Sequence, residues 1–182
     1  MTAAPSRSLS SWRDDLVEIF HSATEDCVTL QMLGIGNEMM RDDGVGLFIG
    51  KKLMRKYGPH PTDALRIHLS GASSEIMLSR LIETGNQILI FDSLVENSRP
   101  GSIALKHLSS SRFGYFATHN IPLKLIPGLK EHNRIYVLGV EPESIDVGEE
   151  LSEIVRRSAL EVINSVGNLI ENRLIPVEGS GV

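Results

Sequence analysis

Cysteine is nearly absent from this chain, and Cys27 alone cannot close an internal disulfide, so the fold must be held by packing. Lying at the entrance to an apolar run, Cys27 reads as a small core hydrophobe and is assigned no chemistry. A surplus of one charge is also missing. The 18 basic and 23 acidic residues carry no long run of either sign, which argues against a nucleic-acid or anionic-membrane partner and in favour of a protein or small molecule. No segment approaches the roughly 18 apolar residues of a membrane span. The N-terminus, with Arg7 and Arg13, has no apolar signal-peptide core. A cytoplasmic protein without membrane insertion is therefore expected, and a monomer is taken as its state. Its 182 residues suffice for one domain that buries roughly two-thirds or more of its unfolded surface.

What is present is a regular alternation of strand and helix signals. Residues 1–10 are small and polar and read as a frayed leader; Trp12, Leu16, Ile19 and Phe20 then recur at helical spacing. Residues 1–26 are taken as an N-terminal extension with a short amphipathic helix, 27–172 as the α/β domain, and 173–182 as a loose tail. The first strand is expected at Val28 to Ile35, closing in the turn residues Gly34-Ile35-Gly36-Asn37. A helix from about Gly44 to Tyr57 follows, with Asp42 or Asp43 as its N-cap and Gly58-Pro59 as its stop. Alternation at Leu65, Ile67 and Leu69 predicts a strand, and 74–84 a helix with Ser73 as cap and Gly85 as C-cap. The apolar run Gln87 to Phe91 has the continuity of a central parallel strand and leads directly into Asp92. Strands near 102–108 and 134–140 and a helix of five turns from Leu151 to Ile170 complete the pattern. The implied fold is a three-layer α/β/α sandwich around a mostly parallel, twisted sheet of about five strands with right-handed crossovers.

In such sheets ligands bind beyond the carboxyl ends of the strands, where loops gather side chains from distant parts of the chain. That edge receives Asp42 and Asp43 after the first strand, Asp92 after the third, and Glu141 and Glu143 after the last. His119, just before a short helix expected around Leu123, Leu125 and Ile126, is placed to join them. Two carboxylates and one imidazole make a three-ligand metal site with an open position. The bland readings are a helix cap for one aspartate of the pair, a turn hydrogen bond for Asp92 and a loop role for His119. His68, His107 and His132 have no such company and read as surface or structural residues. The Gly34-Ile35-Gly36 turn is a weak nucleotide signal, because Met39 stands where a dinucleotide fingerprint needs glycine. No P-loop lysine or G-x-S-x-G elbow is present.

Four ordered motifs carry a resemblance. L-G-I-G-N-E-M-M-R-D-D-G-V-G at 33–46 is followed by I-L-I-F-D-S at 88–93 with R-P-G-S-I at 99–103, then by T-H-N-I-P-L at 118–123 and L-G-V-E-P-E-S at 138–144. Together, over roughly residues 27 to 170, they resemble the nickel–iron hydrogenase maturation endopeptidases. The forms G-N-x-M-M-x-D-D-G and T-H-N-x-P-L are most similar to the branch that processes large subunits of membrane-associated, hydrogen-evolving hydrogenases. The resemblance implies an aspartic-type endopeptidase that removes the C-terminal extension of a nickel-loaded large-subunit precursor, with Asp43, Asp92 and His119 as its metal-contacting and catalytic residues. Nickel would be carried by the substrate, held by precursor cysteines, rather than kept by the enzyme. Two mechanisms stay open: polarisation of the scissile carbonyl by nickel while a carboxylate activates water, or a check for nickel that only positions the peptide. A non-enzymatic module that checks or chaperones the same metal centre is the alternative function.

Overall fold

The computed structural model describes residues 11–71, 74–108 and 134–174. The leader at 1–10, Ser73, His119, the short helix expected at 123–126, His132 and the chain beyond 174 lie outside them. The described elements are α1 (Trp12–Glu25), β1 (Leu30–Ile35), α2 (Val45–Tyr57), β2 (Leu65–Ser70), α3 (Ser74–Glu83), β3 (Gln87–Ser93), β4 (Ile103–His107), β5 (Ile135–Val140) and α4 (Glu153–Leu169). The strands form one sheet in the order β2-β1-β3-β5-β4, parallel except for β4, which pairs antiparallel with β5 at the edge.

The alternation of side chains along each strand divides the core between the two faces. On one face Met32, Leu65, Leu89, Phe91 and Leu138 pack with Leu16 and Phe20 of α1, Ile49 and Leu53 of α2, and Val155 and Val162 of α4. On the other, Leu33, Ile35, Ile88, Ile90 and Val137 meet Leu78, Leu81 and Ile82 of α3. The three layers expected from the sequence are thus present. Strands β1, β3 and β5, covered on both sides, carry the near-continuous apolar runs that such burial demands.

The helix ends are set by local chemistry. Ser11 closes a capping box with Asp14 at the start of α1. Ser152 caps α4 by accepting the Val155 N–H at 3.4 Å. Helix α2 has no side-chain cap, which corrects the expectation that Asp42 or Asp43 serves as one; Gly44 is its N-cap, and both aspartates sit in a turn of 3-10 helix, Arg41–Gly44, that precedes it. Cys27 is corrected as well. It is exposed, with a left-handed φ of 52° in the turn leaving α1, so the apolar run begins after it. No helix among the described residues is long and apolar enough to cross a membrane.

Candidate active site

From β1 the chain crosses by α2 to β2 on one side, then by α3 to β3 on the other, so the sheet order reverses between β1 and β3. With α2 and α3 on opposite faces, the connections around these two strands part toward opposite sides of the sheet, the topology at whose carboxyl ends α/β sheets bind their ligands. Asp43 follows β1 and Asp92 lies in β3, so the two carboxylates flank the reversal.

Close backbone contact draws α2 onto this edge. A Cβ on Gly46 would stand 2.1 Å from the Phe91 carbonyl oxygen and 2.3 Å from that of Ile35; one on Gly34 would stand 2.6 Å from the Gly46 carbonyl oxygen. The glycines of the first loop are thus explained by the seating of α2 across β1 and β3, where no side chain fits. Gly36 contributes likewise, since its Cβ would lie 2.4 Å from the Asp43 carbonyl oxygen. This backbone role answers the weak nucleotide signal with a packing reason.

Asp92 is fully buried and belongs to the strand itself, in register with Gly139 of β5, rather than to the loop beyond. Asp43 is 5% exposed. Ser93 joins the two: its N–H donates to Asp92 Oδ1 at 2.8 Å and its hydroxyl to Asp43 Oδ1 at 3.3 Å. The strand's pleat turns Asp92 toward the sheet face of Ile88 and Ile90, and Ser93 toward the α2 face from which Asp43 arrives. Ser93 went unremarked in the sequence, although the same two-residue alternation applied there would have sent its hydroxyl toward Asp43.

Asp42, read as a cap, has a different task. Fully buried, it accepts hydrogen bonds from the N–H groups of Glu143, Ser144 and Ser152 at 2.9, 3.0 and 2.7 Å and from the Ser152 hydroxyl at 3.0 Å. It ties the loop between β5 and α4 to the turn that carries Asp43. Glu141 secures the third loop of this edge: its carboxylate accepts the Glu96 N–H and the Ser98 hydroxyl, each at 2.8 Å, while its backbone pairs with Gly101 and Ser102. Glu143, also proposed for the edge, is exposed and engaged there through its backbone N–H. Two buried carboxylates therefore hold the rim loops, and two others, Asp43 after β1 and Asp92 within β3, lie on either side of the reversal. Carboxylate oxygens suit a divalent cation, and nitrogen or sulfur donors would have to come from elsewhere. Among the described residues no group of three histidine, cysteine, aspartate or glutamate side chains is arranged to hold a metal, and His119 lies outside them.

No protein-family model matches the chain. It is 30% identical over 162 residues to a protein of Methanocaldococcus jannaschii assigned to the hydrogenase maturation proteases, a match covering 85% of this chain and 95% of that one. A second such protein of the same organism is 29% identical over 146 residues, 72% of this chain and 92% of the other. Among solved structures, the fold matches the NiFe hydrogenase maturation protease HycI from Thermococcus kodakarensis with a TM-score of 0.66 at 21% identity, covering 80% of this chain and 94% of that one. It also matches the hydrogenase maturating endopeptidase HybD from E. coli with a TM-score of 0.61 at 19% identity, with the same coverage. By sequence relatedness along most of both chains, this protein belongs to the hydrogenase maturation proteases.

Proposed function

We propose that this protein is the endopeptidase that removes the C-terminal extension of a nickel-loaded hydrogenase large-subunit precursor in the cytoplasm, acting on the membrane-associated, hydrogen-evolving type. The observation that carries this reading is the pair of buried carboxylates, Asp43 and Asp92, joined through Ser93 at the sheet's reversal point in a chain related to maturation proteases. In this reading nickel belongs to the substrate. Asp43, Asp92 and His119 contact it while precursor cysteines still hold it, so cleavage is coupled to metal loading.

Carboxylate oxygens and a neutral imidazole nitrogen are fitting donors for divalent nickel, and the burial of Asp43 and Asp92 strengthens their attraction for it by excluding water. A carboxylate beside the bound nickel can take a proton from the water that attacks the scissile carbonyl. The testing experiment is to incubate the purified protein with nickel-loaded and nickel-free precursor and follow tail loss by mass spectrometry. Cleavage of the loaded form alone is expected. A bound but uncut precursor would make the protein a checking module, and equal cleavage of both forms would remove nickel from recognition.

A further inference from the structure

Large apolar side chains exposed on the described surface are few, and most lie on the loops of one edge. Met39, Val95, Ile145 and Val147 all lie on the loops at the carboxyl edge of the sheet, the edge of Asp43 and Asp92. Ile76 on α3 and Leu160 on α4 are the others. Met39 is 58% exposed and Val147 80% exposed, which is costly for residues without a partner.

These residues are held in place. The Met39 N–H donates to Asn37 Oδ1 at 3.1 Å, and the Met39 carbonyl accepts the Gly148 N–H at 2.9 Å. The Arg41 N–H returns to the Gly148 carbonyl at 2.7 Å, so Met39 and Val147 project from two segments locked side by side. Ile145 follows Ser144, whose N–H is fixed by Asp42. A backbone ordered beforehand loses less entropy on docking, and methionine adapts its shape to a partner. Around the patch stand the exposed carboxylates of Glu143, Asp146, Glu149 and Glu150, which outnumber the exposed Arg41 lying against Gly148.

We infer that Met39, Ile145 and Val147, with Val95 on the loop after β3, form the docking surface for the folded body of the hydrogenase large-subunit precursor, through a precursor face that is apolar at its centre and basic at its rim. This rests on the proposed processing function. The occupant follows from continuity and charge: the patch shares its loops with the carboxylates that would meet the tail, and its acidic border on a chain of net charge −5 selects a basic surround.

The test is the double variant Met39→Asp/Val147→Asp against nickel-loaded precursor from the same organism, with Ile76→Asp on α3 and Leu160→Asp on α4 as controls outside the loops that carry the patch. The double variant should bind precursor at least tenfold more weakly and raise KM by a similar factor, while keeping kcat at saturation and its melting temperature. The controls should process within twofold of wild type, and wild-type binding should weaken as salt is raised. Unchanged binding and KM in the double variant, an equal loss in the controls, or a loss of kcat alone would overturn the inference. So would a wild-type dimer in ultracentrifugation that the variant abolishes without change in processing, since the patch would then serve a second copy of the chain. If wild type binds precursor but cuts nothing, the processing function fails, whereas a loss of that binding in the double variant still supports the surface. If wild type binds no precursor, the surface fails too.

Discussion

Adjacent aspartates with opposite assignments give the sharpest tests at the residue scale. Asp43→Asn and Asp92→Asn keep size and hydrogen bonding while removing the charge that attracts a cation; both should fold yet lose precursor processing, as measured by mass spectrometry. Asp42→Ala belongs to another class. Three backbone N–H groups and one hydroxyl, all part-buried, would lose a charged acceptor; such bonds are worth about 1.5 to 3 kcal/mol each, and with water replacing some of them a loss of about 3 kcal/mol is expected. That corresponds to a melting temperature lower by roughly 6 to 12 °C, far beyond the ~1 kcal/mol of a helix cap. A calorimetric shift under 3 °C would show that the loop between β5 and α4 stands without Asp42. Ser93→Ala should lower processing about tenfold and stability by about 1.5 kcal/mol, because the hydroxyl orients Asp43 through one buried hydrogen bond to a charged group.

Among elements, α2 and its seat on the sheet decide whether the site exists. Gly46→Ala places a methyl carbon where the Phe91 and Ile35 carbonyl oxygens already stand, so the start of α2 must lift and carry Asp43 with it. Loss of processing together with a lowered denaturation midpoint is expected, and a fully active Gly46→Ala would mean that the edge yields freely. Strands β1 and β2 carry a pH-dependent contact. His68 bonds through Nε2 to Gln31 Oε1 at 2.7 Å, and burial, followed by the charges of His60 and Arg66, lowers its pKa from the ordinary value. A folded pKa below the unfolded one means that unfolding takes up a proton, so stability is complete above about pH 6.5 and declines as pH falls through that region toward the folded pKa. His68→Gln should flatten this limb in urea titrations at pH 5 to 7, and an unchanged slope would assign the acid dependence to other groups.

On the scale of the whole molecule, α1 is built into the core. Leu16 and Phe20 are fully buried among residues of the sheet and the other helices, and Arg13 pairs with Glu161 of α4. A chain beginning at Val28 would open that core to water. Leu16→Ala alone should cost about 2 to 5 kcal/mol in equilibrium unfolding, and a value below 1 kcal/mol would make α1 a removable appendage. Processing should also depend on pH through His119, which must be neutral to offer a lone pair, so activity should fall on the acid side and His119→Ala should be inactive at every pH. The acid limb is to be read only where circular dichroism reports an intact fold, because precursor cysteines also protonate and release nickel there. A His119→Ala variant that cleaves at the wild-type rate would remove the histidine from the site.

Sequence by itself determined the order and kind of the elements, since apolar periodicity differs between a strand covered on both faces, such as Gln87–Ser93, and an amphipathic helix such as Glu153–Leu169. It also brought Asp43 and Asp92 to the carboxyl edge, because chain order alone says which loop follows which strand. Tertiary structure decided what pairing across the sheet controls: the antiparallel place of β4 at the edge, and the reversal of strand order between β1 and β3. It also separated the roles of two neighbouring carboxylates. Asp42 and Asp43 are chemically identical, and only a loop a hundred residues downstream, folding back to offer its N–H groups to Asp42, makes the first a clasp while its neighbour meets Ser93. Such contacts depend on where distant backbone comes to rest, which no local pattern records.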